Sequence, residues 1–365
     1  MAKATLKKKT VDSVEKAETI AFFQEDTNEQ PPSDVIAYNE LRSCADLYRM
    51  FTSGRLQIKP DFQRDIVWSS PQQSRFVDSL IKQLPIPSLC FSLDHESQKW
   101  LVIDGLQRIS TIIKFLSKEE WSISGIEDID PEIAGRSNLE IKKDSSVLYS
   151  RLENLTIPIT VLRCDLRKKS HSNYLFTIFH RLNTGGMRLN NQEIRNAIFN
   201  GPLNELLKEC NKYEPWRILM SIKSDKTYRY KREELILRFF AFYNNSDQYN
   251  GKLANFLNEF MRDHKNLSEL KRKQWKGLFV RSIDCISNAG LVKLNSEPNA
   301  VVEALLYGIA KNIDHVEELA PSKFKKQYVS LKAFSEFQDE NLRNDLSNRI
   351  KLLRRLTVAE TLFEN

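Results

Sequence analysis

The spacing of apolar residues changes character part-way along the chain, and this change limits the fold more than any other sequence feature. From Val35 to about Leu166, short alternating runs give way repeatedly to helix-spaced runs, the mark of a domain that mixes strands and helices. Leu155, Ile157, Ile159 and Val161 alternate as one strand. After about Asn173 nearly every segment has helical spacing, as in Leu235, Ile236, Phe239 and Phe240, then Leu253, Phe256, Leu257 and Phe260, then Leu278, Ile283 and Ile286, and finally Leu346, Ile350, Leu353 and Leu356. The spacing predicts an α+β fold whose mixed domain, residues 34–200, is followed by an all-helical domain, residues 201–365. Residues 1–33 mix Lys, Thr, Glu and Gln with Pro31 and Pro32 and lack periodicity, so they are read as a flexible arm. No internal repeat is present.

A length of 365 residues with 41% apolar content is enough for two cores, and a net charge of +7 suits contact with phosphate without requiring it. Cys44, Cys90, Cys164, Cys210 and Cys285 are odd in number, widely spaced and set mostly in apolar runs, which argues against a disulfide framework or a zinc cluster and for a reducing compartment. No apolar run reaches the roughly 18 residues of a membrane span, and Met1 to Thr10 lacks the hydrophobic core of a signal peptide. A cytoplasmic protein with no membrane partner is expected.

Three stretches contain residue types suited to chemistry. The first runs from Ile58 to Trp68, between a short strand and a helix that starts at Pro71 with Ser69 or Ser70 as its cap. A loop held at both ends can present Gln63 and Arg64 to a ligand, and the arginine fork donates paired hydrogen bonds to phosphate. The alternative is an ion pair between Arg64 and Asp61 or Asp65.

The second stretch places Trp100 to Ile103 in a buried strand, Asp104, Gly105, Leu106, Gln107 and Arg108 in a turn, and Ile109 to Leu116 in a helix. Free amides and the positive dipole end of a helix start form an anion site, and glycine lets a phosphate approach the backbone closely. Gln107 and Arg108 add donors, and Asp104 can hold a divalent ion or orient a water. The alternative is structural, with Asp104 capping the helix and Arg108 neutralising it.

The third stretch, Phe179 to Leu189, holds Arg181, Asn183, Gly185 and Gly186, with a second helix start at Asn190, where Asn190 and Glu193 have capping-box spacing. Arg181, Asn183 and Arg195 could face the same anion as Arg64 and Arg108; the alternative is an ordinary helix-to-helix turn.

In this order the three stretches, with the Leu84, Pro85, Ile86, Pro87 turn between the first two, resemble the N-terminal domain of GmrSD-type restriction enzymes, a ParB-like family with a DGQQR motif. The resemblance covers roughly Leu41 to Ile198 and extends to a helical piece at Tyr230 to Phe240. It implies a ParB and sulfiredoxin-like fold that binds a nucleoside triphosphate and hydrolyses it with Mg²⁺ or another divalent cation, in a protein of DNA restriction and phage defence. Asp104, Gln107 and Arg108 would then be the catalytic set, with Asp104 the metal ligand, and Gln63, Arg64, Gly105, Thr111, Arg181, Asn183 and Gly185 would bind nucleotide. Leu106 departs from the motif, standing where the family has glutamine, and removes one amide from the turn.

Family members often carry an HNH nuclease domain on the same chain or on a partner. His264 and His315 lie in helical sequence with no strand pattern and are read as surface positions at helix ends, so a separate nuclease or effector subunit is the expected partner. Lys223, Lys226, Tyr228, Arg229, Tyr230, Lys231 and Arg232 interleave cations with aromatics, as a DNA-binding surface does, or form a solvated loop. Lys323 to Lys326 and Lys351 to Arg355 are read as exposed helix faces. Three functions remain open: an NTPase coupled to sensing foreign or modified DNA, a metal-dependent nickase using the same cluster, and a non-catalytic sensor that recruits an effector, as a single chain or an oligomer.

Overall fold

Alternating apolar residues build one five-stranded sheet in the first half of the protein, which we describe from a computed structural model covering residues 30–58, 68–182, 190–222, 230–291, 293–338, 341–342 and 346–364. Two compact units emerge, Gln30–Arg188 and another containing Leu189–Asn365, and the expected flexible arm lies almost wholly outside the described residues. The sequence spacing places the boundary at residue 200 instead.

The first unit contains β1 (Ile36–Ser43), α1 (Cys44–Thr52), β2 (Leu56–Gln57), α2 (Ser70–Ile81), β3 (Leu89–Asp94), β4 (Trp100–Asp104), α3 (Leu106–Leu116), α4 (Asn138–Asp144), α5 (Ser146–Asn154), β5 (Thr156–Cys164) and α6 (Lys169–Leu182). The strand order is β1-β5-β3-β4-β2. β5 runs antiparallel to β1 and parallel to β3, while β4 runs antiparallel to β3 and parallel to β2, so the sheet is mixed.

Strand alternation explains how the sheet is covered. Leu89, Phe91, Val102, Ile157, Ile159 and Val161 point to one face and join a core with α1, α2, α3 and α5. Cys90, Leu101, Ile103, Leu162 and Cys164 alternate with them and are also buried, and α6 packs against β4 and β5 through Leu175, Phe176 and Phe179. Both faces of the central strands are therefore dry. The start of α6 is pinned by His171, whose Nδ1 accepts the Asp165 amide hydrogen at 2.9 Å, leaving Nε2 to donate to Asp34 at 2.7 Å. Lys168 also bonds Asp34.

The second unit is helical, as the spacing predicts: α7 (Asn191–Ile198), α8 (Pro202–Asn211), α9 (Glu214–Leu219), α10 (Lys231–Asn245), α11 (Leu253–Asp263), α12 (Glu269–Asn288), α13 (Asn299–Lys311), α14 (Ile313–Glu317), α15 (Pro321–Ala333) and α16 (Arg349–Glu364). No helix among the described residues is long and apolar enough to cross a membrane. α7 has the expected capping box, with Asn190 Oδ1 accepting from the Glu193 amide at 2.9 Å and Glu193 Oε2 from the Asn190 amide at 2.6 Å.

Two basic positions differ from the sequence reading. Arg195 is wholly buried, donating to Asn258 at 2.8 Å, to Gln192 at 3.1 Å and to Glu234 at 3.1 Å, so it belongs to the helical core and does not join the anion donors. Arg355 is buried as well and donates to the Leu346 carbonyl at 2.7 Å, which removes it from the exposed face expected there. Around Arg195, burial pushes the Glu234 carboxyl up, and Arg238 and Arg195 together overcome that and hold it below its ordinary value.

Removing one partner from a buried ion pair strands the other charge. Arg195→Met should therefore lower the unfolding free energy by about 3–5 kcal/mol, read by denaturant titration; a loss below about 1 kcal/mol would mean that the network contributes little. A second expectation concerns pH. The Lys168 and then the His171 hydrogen bonds hold the Asp34 carboxyl well below its ordinary value. A depressed folded pKa contributes stability that is present above the unfolded value, about 3.9, and is lost as pH falls through the folded one. Asp34→Asn should lower the melting temperature at pH 7, and the gap to the parent should shrink below about pH 4; a gap independent of pH would refute the pairing.

Candidate functional site

Four segments meet at the carboxyl end of β4. Asp104 ends the strand, and Gly105 follows with a left-handed φ of +92° as the residue before α3. A Cβ on Gly105 would stand 2.2 Å from Leu89 Cδ2, so packing and backbone both require glycine here. The amides of Leu106, Gln107 and Arg108 open the helix and, by helix geometry, have no acceptor within it.

Arg108 folds back over this turn. Its Nη2 donates to Asp104 Oδ2 at 2.9 Å and to the Ser88 carbonyl at 3.4 Å, and its Nη1 donates to the Pro87 carbonyl. The ion pair of the structural alternative is thus present, and it also fastens the Leu84 to Pro87 turn to α3. Burial pulls the Arg108 guanidinium below its ordinary value and Asp104 opposes that, so Arg108 remains a cation. Asp104 Oδ1 takes no hydrogen bond from the described residues and stays open.

Gln107 joins the first motif to the second. Its Oε1 accepts the Trp68 amide hydrogen at 3.3 Å, across 39 positions of sequence. The Trp68 carbonyl accepts from Gln73 Nε2 at 3.2 Å, Gln73 Oε1 accepts from Lys114 at 3.2 Å, and the Trp68 ring meets Phe76 edge-on at 5.3 Å. The backbone N–H and C=O of one residue, Trp68, are therefore both held where the first motif enters α2. Ser69, not Ser70, caps that helix, in a capping box with Gln72. Gln73 and Lys114 were not singled out from sequence, although a glutamine on the stripe with Phe76, Val77 and Leu80 was a signal that something there needed a hydrogen bond.

The remaining candidates are distributed unevenly. Thr111 is buried and donates to the Gln107 carbonyl at 2.8 Å, which commits its proton within α3. Leu106 is partly buried and packs against the core, a place that suits an apolar side chain. Arg181 is exposed in the last turn of α6, the helix that packs on β4 and β5. Gln63, Arg64, Asn183, Gly185 and Arg229 lie outside the described residues. Lys231 is exposed and Arg232 half-buried at the start of α10, in the helical unit. His315 is exposed, as expected, whereas His264 is half-buried, its ring 5.3 Å from that of Trp275.

Among the described residues no three His, Cys, Asp or Glu side chains are grouped to hold a metal. Among the described residues Asp104 is the carboxylate at this turn, and one such ligand fits a magnesium ion carried mainly by nucleotide phosphates, which needs only one or two protein ligands.

Residues 45–200 match the sequence profile of a family described as GmrSD restriction endonuclease, N-terminal domain. These residues are a GmrSD-type domain. The match includes the Asp104 turn, the Trp68 joint and the Arg181 segment, and it connects the chain to restriction systems. No curated protein and no solved structure matches the chain.

Within the GmrSD-type domain, Gly105 is the position least open to change. Gly105→Ala forces a side-chain residue into the left-handed region, at about 1–2 kcal/mol, and overpacks Leu89, at about 1–3 kcal/mol. Unfolding experiments should show a loss of about 2–5 kcal/mol. A neutral Gly105→Ala would show that the turn is not held as described.

Proposed function

We propose that the GmrSD-type domain has a ParB and sulfiredoxin-like fold, binds a nucleoside triphosphate at the Gly105 turn and hydrolyses it, coupling this step to the sensing of foreign or modified DNA. The observation that carries this reading is the turn itself: a glycine with no room for a side chain, a helix tip whose first amides have no acceptor within the helix, and a carboxylate of which one oxygen takes no hydrogen bond from the described residues. A phosphate seated there would accept from the Leu106, Gln107 and Arg108 amides, favoured by the helix dipole. Asp104 Oδ1 would accept a proton from an attacking water. Arg108 acts mainly as a positioning residue, because its fork holds Asp104 and the Pro87 turn in place. Gln107 would present its neighbours by fixing Trp68, and Gln63, Arg64, Arg181, Asn183 and Gly185 would complete the pocket. A magnesium ion held by Asp104 and the nucleotide would supply charge neutralisation at the phosphates.

DNA would be met by the helical unit at Arg229, Lys231 and Arg232, and cleavage by a separate nuclease or effector subunit. A binding-only sensor is the second reading, favoured by the committed Asp104–Arg108 pair and by the apolar Leu106. Purified protein with magnesium and each of the four triphosphates should release phosphate, and Asp104→Ala should slow this by at least about 100-fold. Equal turnover in variant and parent would remove the site assignment. Calorimetric binding without turnover would select the sensor, and plasmid nicking without nucleotide would select a nuclease.

A further inference from the structure

Gln73 is a buried amide on the apolar stripe of α2, beside Phe76, Val77 and Leu80. A polar group costs free energy in such a place unless it is hydrogen-bonded, and an aliphatic side chain would pack there as well. Both ends of this amide are engaged: Nε2 donates to the Trp68 carbonyl at 3.2 Å, and Oε1 accepts from Lys114 Nζ at 3.2 Å. The partners dictate its direction. An ammonium can only donate and a carbonyl can only accept, so Lys114 fixes which way the amide points, and a flipped amide would lose both bonds. Lys114 is itself held over the Trp121 ring, 4.8 Å from its centre. Burial pulls its ammonium below the ordinary value, so a cation is kept here against a desolvation cost.

The same helix supplies both anchors. Gln107 and Lys114 stand two turns apart on α3, about 10 Å along one face. Gln107 Oε1 takes the Trp68 N–H at 3.3 Å, while Lys114 reaches the Trp68 carbonyl through Gln73. The entry to α2 is thus tied to α3 at two points, one in the first turn after Gly105 and one two turns behind it.

We infer that Lys114 and Gln73 are positioning residues of the triphosphate site: Lys114 orients the Gln73 amide, the amide holds Trp68, and Trp68 keeps the Gln107 side chain in place at the tip of α3. This role rests on the triphosphate reading of the Gly105 turn. Neither residue contacts the nucleotide in this scheme. Asp104 is held separately, by Arg108, so the clamp governs how tightly the triphosphate is bound and leaves the step at its phosphate to Asp104.

Gln73→Glu separates this role from a structural one. A glutamate keeps the contact with Lys114 and adds charge to it, but sets a second acceptor against the Trp68 carbonyl. The melting temperature should stay at the parent value or rise, while calorimetric affinity for the magnesium complexes of the four triphosphates falls about tenfold or more. Hydrogen exchange at the Trp68 amide, measured without nucleotide, should quicken. Lys114→Met should show the same two losses, and Lys114→Arg, which still donates, should show neither. In turnover, KM should rise with kcat held within about twofold, the pattern of lost binding. A parent chain that binds no triphosphate would overturn the nucleotide reading and this role with it. A parent that binds, with Gln73→Glu and Lys114→Met binding equally well or with Trp68 exchange unchanged, would overturn the clamp alone, as would losses that Lys114→Arg shares.

Discussion

The backbone of Gly105 is the constraint on which the first unit's candidate site depends. A strand in the middle of a sheet and a helix that covers the same sheet are joined by one residue, and only a left-handed conformation turns the chain sharply enough to do this. Leu89 then closes the space where a side chain would be. Arg108 can reach Asp104, Ser88 and Pro87 together only because the helix starts immediately after the strand. The guanidinium therefore links β4, α3 and the segment before β3 at a single point. Arg108 is mostly covered and Asp104 is more than a third exposed, so the pair is screened on its carboxylate side and acts more as a positional clamp than as a source of stability.

Gln107 extends the same logic to the chain before α2. Its carbonyl oxygen has been drawn to the Trp68 amide rather than left open to solvent, and Gln73 donates to the carbonyl of the same residue. A change at Lys114, which supports Gln73 and lies 4.8 Å over the Trp121 ring, would reach the turn only through this chain of contacts.

Much of the fold could be read in advance because it follows local rules. β5 alternates, α2 and α7 have capping-box spacing, and the helical half has its 3.6-residue stripes. What could not be read depends on partners distant in sequence. β1 is exposed along most of its length and so has no apolar alternation to reveal it, yet it pairs with β5 throughout. Arg195 looks like any surface arginine next to a glutamate, and only the approach of α10 and α11 makes it a core residue. The Trp68–Gln107 joint has no signature at all, since a glutamine that bonds a remote amide has the same neighbours as one that does not. Of the candidate site, the Asp104 to Arg108 turn was legible with both its readings, and the ion pair of one of them is what the side chains form.

The described units divide before α7, whereas the family match runs through it to residue 200. Every residue of α7 is buried, and the helix packs against α10 and α11. The segment that matches the family profile is thus not one piece of folding: a fragment cut at the end of the match would leave α7, with its charged and amide side chains arranged for an interior, facing water.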